Sequence, residues 1–131
     1  MMAQLVSLVI VLTAVQLMVF SFLVGRGRIK YDVPAPAMSG HPVWERLNRV
    51  HQNSVEQAII FIPLLMMFAG TWGQRDAVGL GVVYLLARTL YAVGYVRDPK
   101  SRGFGAALTF IVQGLLALGA IGAILWKLPQ Y

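Results

Sequence analysis

The chain has no cysteine among its 131 residues, which excludes disulfides, a thiolate nucleophile of its own and cysteine-ligated metal, and leaves the redox compartment open. Acid is scarce, with five Asp and Glu against eleven Lys and Arg for a formal net charge of +6. Charge of either sign makes up only 12% of residues against 58% hydrophobic ones, a balance that excludes an ordinary soluble domain. The histidines, His41 and His51, stand ten positions apart with no second one at helical ligand spacing, so no metal site is expected. No serine sits on a strand-to-helix elbow beside a histidine, and no Gly-rich phosphate loop is present. The basic residues lie in short segments between apolar runs, where membrane orientation explains them, so no nucleic-acid partner is expected.

What the chain does have is four apolar runs near the length of one bilayer crossing, about 20 residues each. They predict an all-α membrane protein, a single domain over 1–131 with spans near 5–25, 54–72, 77–96 and 104–126 in an up-and-down bundle. The first run lacks the basic start and small-residue cleavage site of a secretory signal and reads as a retained span. Gln16 in its middle reads as a helix-to-helix hydrogen bond. From Gly25 to Pro42 the density of Gly and Pro predicts no long helix, and Arg26, Arg28 and Lys30 read as headgroup contacts, with Arg28 also able to reach a ligand. A second helix is predicted from about Pro42 to Trp72 with a kink at Pro63, then a turn over Gly73 to Asp76 and a third helix from about Ala77. The last span carries no charge, and its Gly114, Ala117, Gly119, Ala120, Gly122 and Ala123 predict close helix packing.

Basic residues concentrate in 26–49 and 97–102, whereas the turn between spans two and three has only Arg75 beside Asp76. The positive-inside rule therefore predicts both termini away from the cytoplasm and the two polar segments facing it. Two stripes of side chains meet at that boundary. On the second helix, Arg49, Asn53 and Glu56 recur at i, i+4 and i+7, with Gln52 and Glu45 beside them; on the third, Tyr84, Arg88, Tyr91 and Tyr95 do the same. An arginine inside a span costs roughly 2.5 to 3.5 kcal/mol and needs a partner or a wet cavity. Arg88 can be neutralised by Glu56 between helices, can line a binding wall, or both. With Arg102 nearby, the set suits a small acidic, peptide-like zwitterion better than a nucleotide. A transporter would also need polar groups in the membrane, but the halves show no inverted repeat.

These motifs, Glu45-Arg46, Arg49-x-x-x-Asn53-x-x-Glu56, Tyr84-x-x-x-Arg88-x-x-Tyr91-x-x-Gly94-Tyr95 and Arg102, resemble the membrane-associated proteins in eicosanoid and glutathione metabolism, the MAPEG family. The resemblance covers nearly the whole chain and implies a homotrimer binding reduced glutathione at subunit interfaces near the cytoplasmic leaflet, in a bacterial inner membrane. It assigns glutathione binding to Arg49, Asn53, Glu56, Arg88, Tyr91 and Tyr95, with Arg28 and Gln52 reaching from a neighbouring subunit. It makes Arg102 the catalytic residue that holds the thiolate, which then attacks a lipophilic electrophile dissolved in membrane lipid. Gly103 stands where prostaglandin-forming members carry serine, and Gln57 where leukotriene-forming members carry tyrosine. A general conjugating or peroxide-reducing role is therefore the implied one. The alternative is a non-catalytic member that presents lipid.

Overall fold

In lipid no water is available to bond exposed backbone groups, so an apolar run that crosses must satisfy its own N–H and C=O groups, and the α-helix does this within one segment. The computed structural model describes residues 1–130 and consists of four such helices: α1 (Met2–Lys30), α2 (Pro42–Thr71), α3 (Gln74–Arg97) and α4 (Gly103–Lys127). All four are long and apolar enough to cross a membrane. A 3-10 turn over Pro99–Arg102 leads into α4, and another over Leu128–Gln130 follows it. The helices α2 and α3 form the central pair, with α1 seated against both on one side and α4 against both on the other.

The core lies between the helices and the outer faces are apolar, as a bilayer requires. Phe61, Leu65 and Phe68 of α2 meet Ala77 and Tyr84 of α3, Val6 and Val9 of α1, and Val112 and Leu116 of α4. The rings of Phe61 and Tyr84 stack at 3.6 Å. Close approach depends on missing side chains: a Cβ on Gly81 would lie 2.6 Å from Val9 Cγ1, and one on Gly119 2.5 Å from Phe68 Cε2. A Cβ on Gly114 or Gly122 would meet nothing within 4 Å, so among the described residues only part of the small-residue stripe on α4 is closely packed. Gln16 joins α1 to α3, its Nε2 donating to Leu85 O at 3.2 Å and Thr89 Oγ1 at 3.1 Å, as its place in an apolar span predicts.

Two local expectations are corrected. Gly25 and Gly27 do not end the first helix, which continues to Lys30. Glycine lowers helix propensity by about 1 kcal/mol, but Gly27 is buried against the indole of Trp44, and the gap left by its absent Cβ is where that ring packs. Trp44 is itself fully buried, and its Nε1 donates to Val24 O at 3.1 Å. The prolines begin only at Pro34, beyond the helix. The predicted turn from Gly73 to Asp76 is also shorter: Gln74, Arg75 and Asp76 already form the first turn of α3, with the acidic side chain at its positive end. The helical residues of α2 run through Pro63.

Candidate functional site

The polar ends of α2, α3 and α4 come together where the loops after α1 and α3 emerge. Four devices fix this corner. Asp98 starts the 3-10 turn by accepting from Lys100 N at 3.1 Å. That turn folds back onto α3 at Gly94, where a Cβ would stand 2.9 Å from Ser101 O. The first turn of α4 then presses on α3 at Gly105, where a Cβ would stand 2.5 Å from Tyr91 N. From α2, Arg46 Nη1 donates to Val96 O at 3.2 Å, satisfying a carbonyl at the end of α3.

The resulting cavity, about 380 Å³, is lined by Arg49, Asn53 and Gln57 of α2, Arg88 and Tyr91 of α3, Arg102 before α4, and Ala106, Thr109 and Phe110 of α4. Three guanidinium groups face it and none of its lining residues is acidic. Arg88 is 1% exposed. Its Nη2 donates to Asn53 Oδ1 at 2.7 Å and to Ser54 Oγ at 2.8 Å, its Nη1 reaches Thr109 Oγ1 at 3.5 Å, and the guanidinium lies 4.3 Å from the centre of the Tyr91 ring. Its Nε has no hydrogen-bond partner among the described residues. Tyr91 stacks on Tyr95 at 5.7 Å, and Arg102 sits 5.8 Å from the centre of the Tyr95 ring. Aromatic faces and neutral oxygens thus orient Arg88 and Arg102 without cancelling their charge.

Glu56 does not neutralise Arg88, which corrects one reading of the stripes. The buried face of α2 runs through Ser54, Ala58, Phe61 and Leu65, and Glu56 lies two residues from Ser54, about 200° round the helix. It is exposed and faces Arg49 instead, at 3.9 Å. Of the other positions singled out in the sequence, Arg49, Asn53, Arg88, Tyr91 and Arg102 line the cavity, and Tyr95 supports two of them from behind. Arg28 and Gln52 do not line it within the chain. Arg28 donates to Val33 O at 3.1 Å and Ala37 O at 2.8 Å and lies 4.4 Å from the centre of the Trp44 ring, holding the loop after α1. Gln52 is exposed. His41 caps α2, its Nδ1 accepting from Val43 N at 3.2 Å.

Ser54, Thr109, Ala106, Phe110 and Gly105 were not singled out by sequence. Their signal was available in part, since Gly105, Thr109, Val112, Leu116 and Ala120 follow helical spacing on the buried stripe of α4. Thr109 is silent in a charge count, its hydroxyl bonded to Gly105 O at 2.8 Å while also meeting Arg88.

Fold and cavity define a four-helix integral membrane protein with an arginine-lined pocket where the spans leave the apolar zone. A profile of the MAPEG family matches residues 6–122, and the chain belongs to that family. It is similar to microsomal glutathione S-transferase 2 of Homo sapiens, 40% identical over 128 residues that cover 97% of this chain and 87% of the relative. An uncharacterized protein of Synechocystis is also 40% identical, over 124 residues covering 95% and 90%. Leukotriene C4 synthase of Bos taurus is 34% identical over 116 residues covering 84% and 74%.

Proposed function

We propose that the protein is a membrane-bound glutathione transferase that joins the glutathione thiolate to lipophilic electrophiles, and that the same thiolate reduces lipid hydroperoxides, breaking the O–O bond to give the lipid alcohol and a glutathione sulfenic acid that a second glutathione converts to the disulfide and water. The observation that carries this reading is the cavity with three arginines and no acidic lining residue. Glutathione brings two carboxylates, one ammonium and one thiol. Arg49 and Arg88 suit the carboxylates, Asn53 and Gln57 the amides, and Glu56, exposed beside Arg49, the ammonium. Tyr91 and Tyr95 place two phenol rings on the same wall.

Arg102 is the residue assigned to the sulfur. A free thiol titrates near 8.5, and a guanidinium beside it favours the thiolate, each unit of displacement being worth about 1.4 kcal/mol. The thiolate sulfur forms the new bond to the electrophilic carbon, the leaving group departs with its electron pair, and the thiol proton goes to water. Ala106 and Phe110 give the cavity an apolar side towards the lipid, from which an electrophile can enter. The relatives named as glutathione transferase and leukotriene synthase support this reading.

The homotrimer implied by the resemblance is proposed as the assembly, in which a neighbouring copy covers Arg49, Gln52 and Glu56, all exposed in the single chain. Arg28 and Gln52 are then the residues proposed to reach glutathione from that copy. The excess of Lys and Arg at the charged end supports a cytoplasmic position for it, with both termini opposite, in the bacterial inner membrane proposed here. The test is turnover of glutathione with chlorodinitrobenzene by the purified protein in detergent. Arg102→Ala is expected to lose most of the turnover while still binding glutathione. Full turnover in that variant refutes the assignment of Arg102, and glutathione that leaves the melting temperature unchanged at saturation supports a lipid-presenting protein instead.

A further inference from the structure

On the other side of the central helix pair lies a second cavity of about 350 Å³, between α1, α2 and α3, which shares no lining residue with the arginine pocket. Phe20 and Leu23, Leu47 and Val50, and Ala92 and Val93 supply its walls. Thr89, at its inner end, has already donated its hydroxyl to Leu85 O at 2.9 Å and accepted from Gln16, so the interior offers no free donor to a polar ligand. At the opposite end is Arg97. Leu23 and Leu47 also line a smaller hollow of about 130 Å³ whose lining includes Arg26 and Lys30, so the two hollows adjoin at these side chains.

Along each helix the order is the same. From Phe20 to Lys30 on α1, and from Thr89 to Arg97 on α3, the lining passes from apolar side chains to cations, over about 12 Å of axial rise on α3. Arg26, Lys30 and Arg97 are exposed, and none has a carboxylate within 4.0 Å among the described residues. An apolar slot that ends in uncompensated positive charge, at the level where spans leave the hydrocarbon, complements an amphiphile with an acyl chain and an anionic head.

We propose that the groove between α1 and α3 binds one acyl chain of an anionic phospholipid from the leaflet at the charged end, with its phosphate held by Arg26, Lys30 and Arg97. This site is separate from the arginine pocket, and its test reads lipid rather than turnover, so it stands or falls independently of the glutathione reading.

The full-length protein in detergent is stripped of lipid, supplied with phosphatidylglycerol or phosphatidylcholine of identical chains, and weighed intact by native mass spectrometry. One phosphatidylglycerol per subunit is expected to be retained, with a preference over phosphatidylcholine on the order of tenfold. Joint Arg26→Gln, Lys30→Gln and Arg97→Gln substitution is expected to abolish that preference. Because the chain lacks cysteine, Val93→Cys offers a single labelling point on the groove wall without added bulk. A fluorophore there is expected to be quenched by brominated phosphatidylglycerol at about a tenth of the phosphatidylcholine concentration needed, and glycerol phosphate alone is expected to leave that quenching unchanged. Equal retention of the two lipids, a preference that survives the triple substitution, equal quenching by both, or displacement by glycerol phosphate each overturns the proposal.

Discussion

Replacing Arg88 with methionine separates what this side chain does for the fold from what it does for the ligand. Its two short bonds, to Asn53 at 2.7 Å and Ser54 at 2.8 Å, are charge-assisted and worth about 1.5 to 3 kcal/mol each. The Tyr91 face adds roughly 2 kcal/mol in a desolvated setting. Against these stands the effective penalty of several kcal/mol for burying a guanidinium, but an apolar side chain of similar length leaves the Asn53 and Ser54 oxygens without their donor, at a cost of about 1 to 3 kcal/mol. Thermal unfolding in detergent is therefore expected to show a modest loss of about 1 to 3 kcal/mol with the fold retained. Glutathione affinity, by contrast, loses a charge-assisted contact worth about 1.5 to 3 kcal/mol, which is a Kd weaker by about ten- to a hundredfold in isothermal titration. Arg88→Lys keeps the charge but not the fork and is expected to fall between. A folded Arg88→Met protein that binds glutathione as the parent does refutes the reasoning, because Arg88 would then serve the helices alone.

The remaining predictions concern the corner that carries Arg102 and the proton of the thiol. Gly105→Ala forces a Cβ against the α3 backbone at Tyr91 and is expected to destabilise by about 1 to 3 kcal/mol, whereas Gly122→Ala, which meets nothing within 4 Å, is expected to be neutral within the chain; melting curves compare them. Gly94→Ala displaces the turn at Ser101 and is expected to lower kcat more than it raises the Kd for glutathione, since Arg102 moves with that turn. With the thiolate favoured by Arg102, the bound thiol titrates below its free value near 8.5, so turnover rises with pH and levels off below that value; in Arg102→Ala the rise is expected to move up to about 8.5. An unshifted profile in the variant counts against the role given to Arg102.

The parts of the fold that lipid dictates were open to sequence reading. An apolar run cannot leave backbone groups unpaired in hydrocarbon, so four runs predict four helices, and an arginine such as Arg88 within one of them demands partners. What those partners are was harder to see. A charge count matches Arg88 with Glu56, yet angular position on α2 gives it Asn53 and Ser54, and α4 adds Thr109, a hydroxyl hidden in an uncharged span. The glycines illustrate the same limit. Gly27 reads as a helix breaker until Trp44 is packed on it, Gly94 and Gly105 reveal their roles only when the turn and α4 fold back, and Gly122 has the composition of a packing glycine although a Cβ there would touch none of the described residues. Composition reports that helices can approach; which ones do is decided by geometry that links residues distant in sequence.

The account rests on a guanidinium-lined pocket at the charged end of the bundle holding glutathione as its thiolate. Its most direct test is the ultraviolet absorbance of the thiolate when glutathione is added to the protein about one pH unit below the free thiol value near 8.5. The account predicts a thiolate signal that saturates with occupancy of the site and is lost in Arg102→Ala although glutathione still binds. Bound glutathione without a thiolate signal in the parent, or a signal of equal size in the variant, contradicts it.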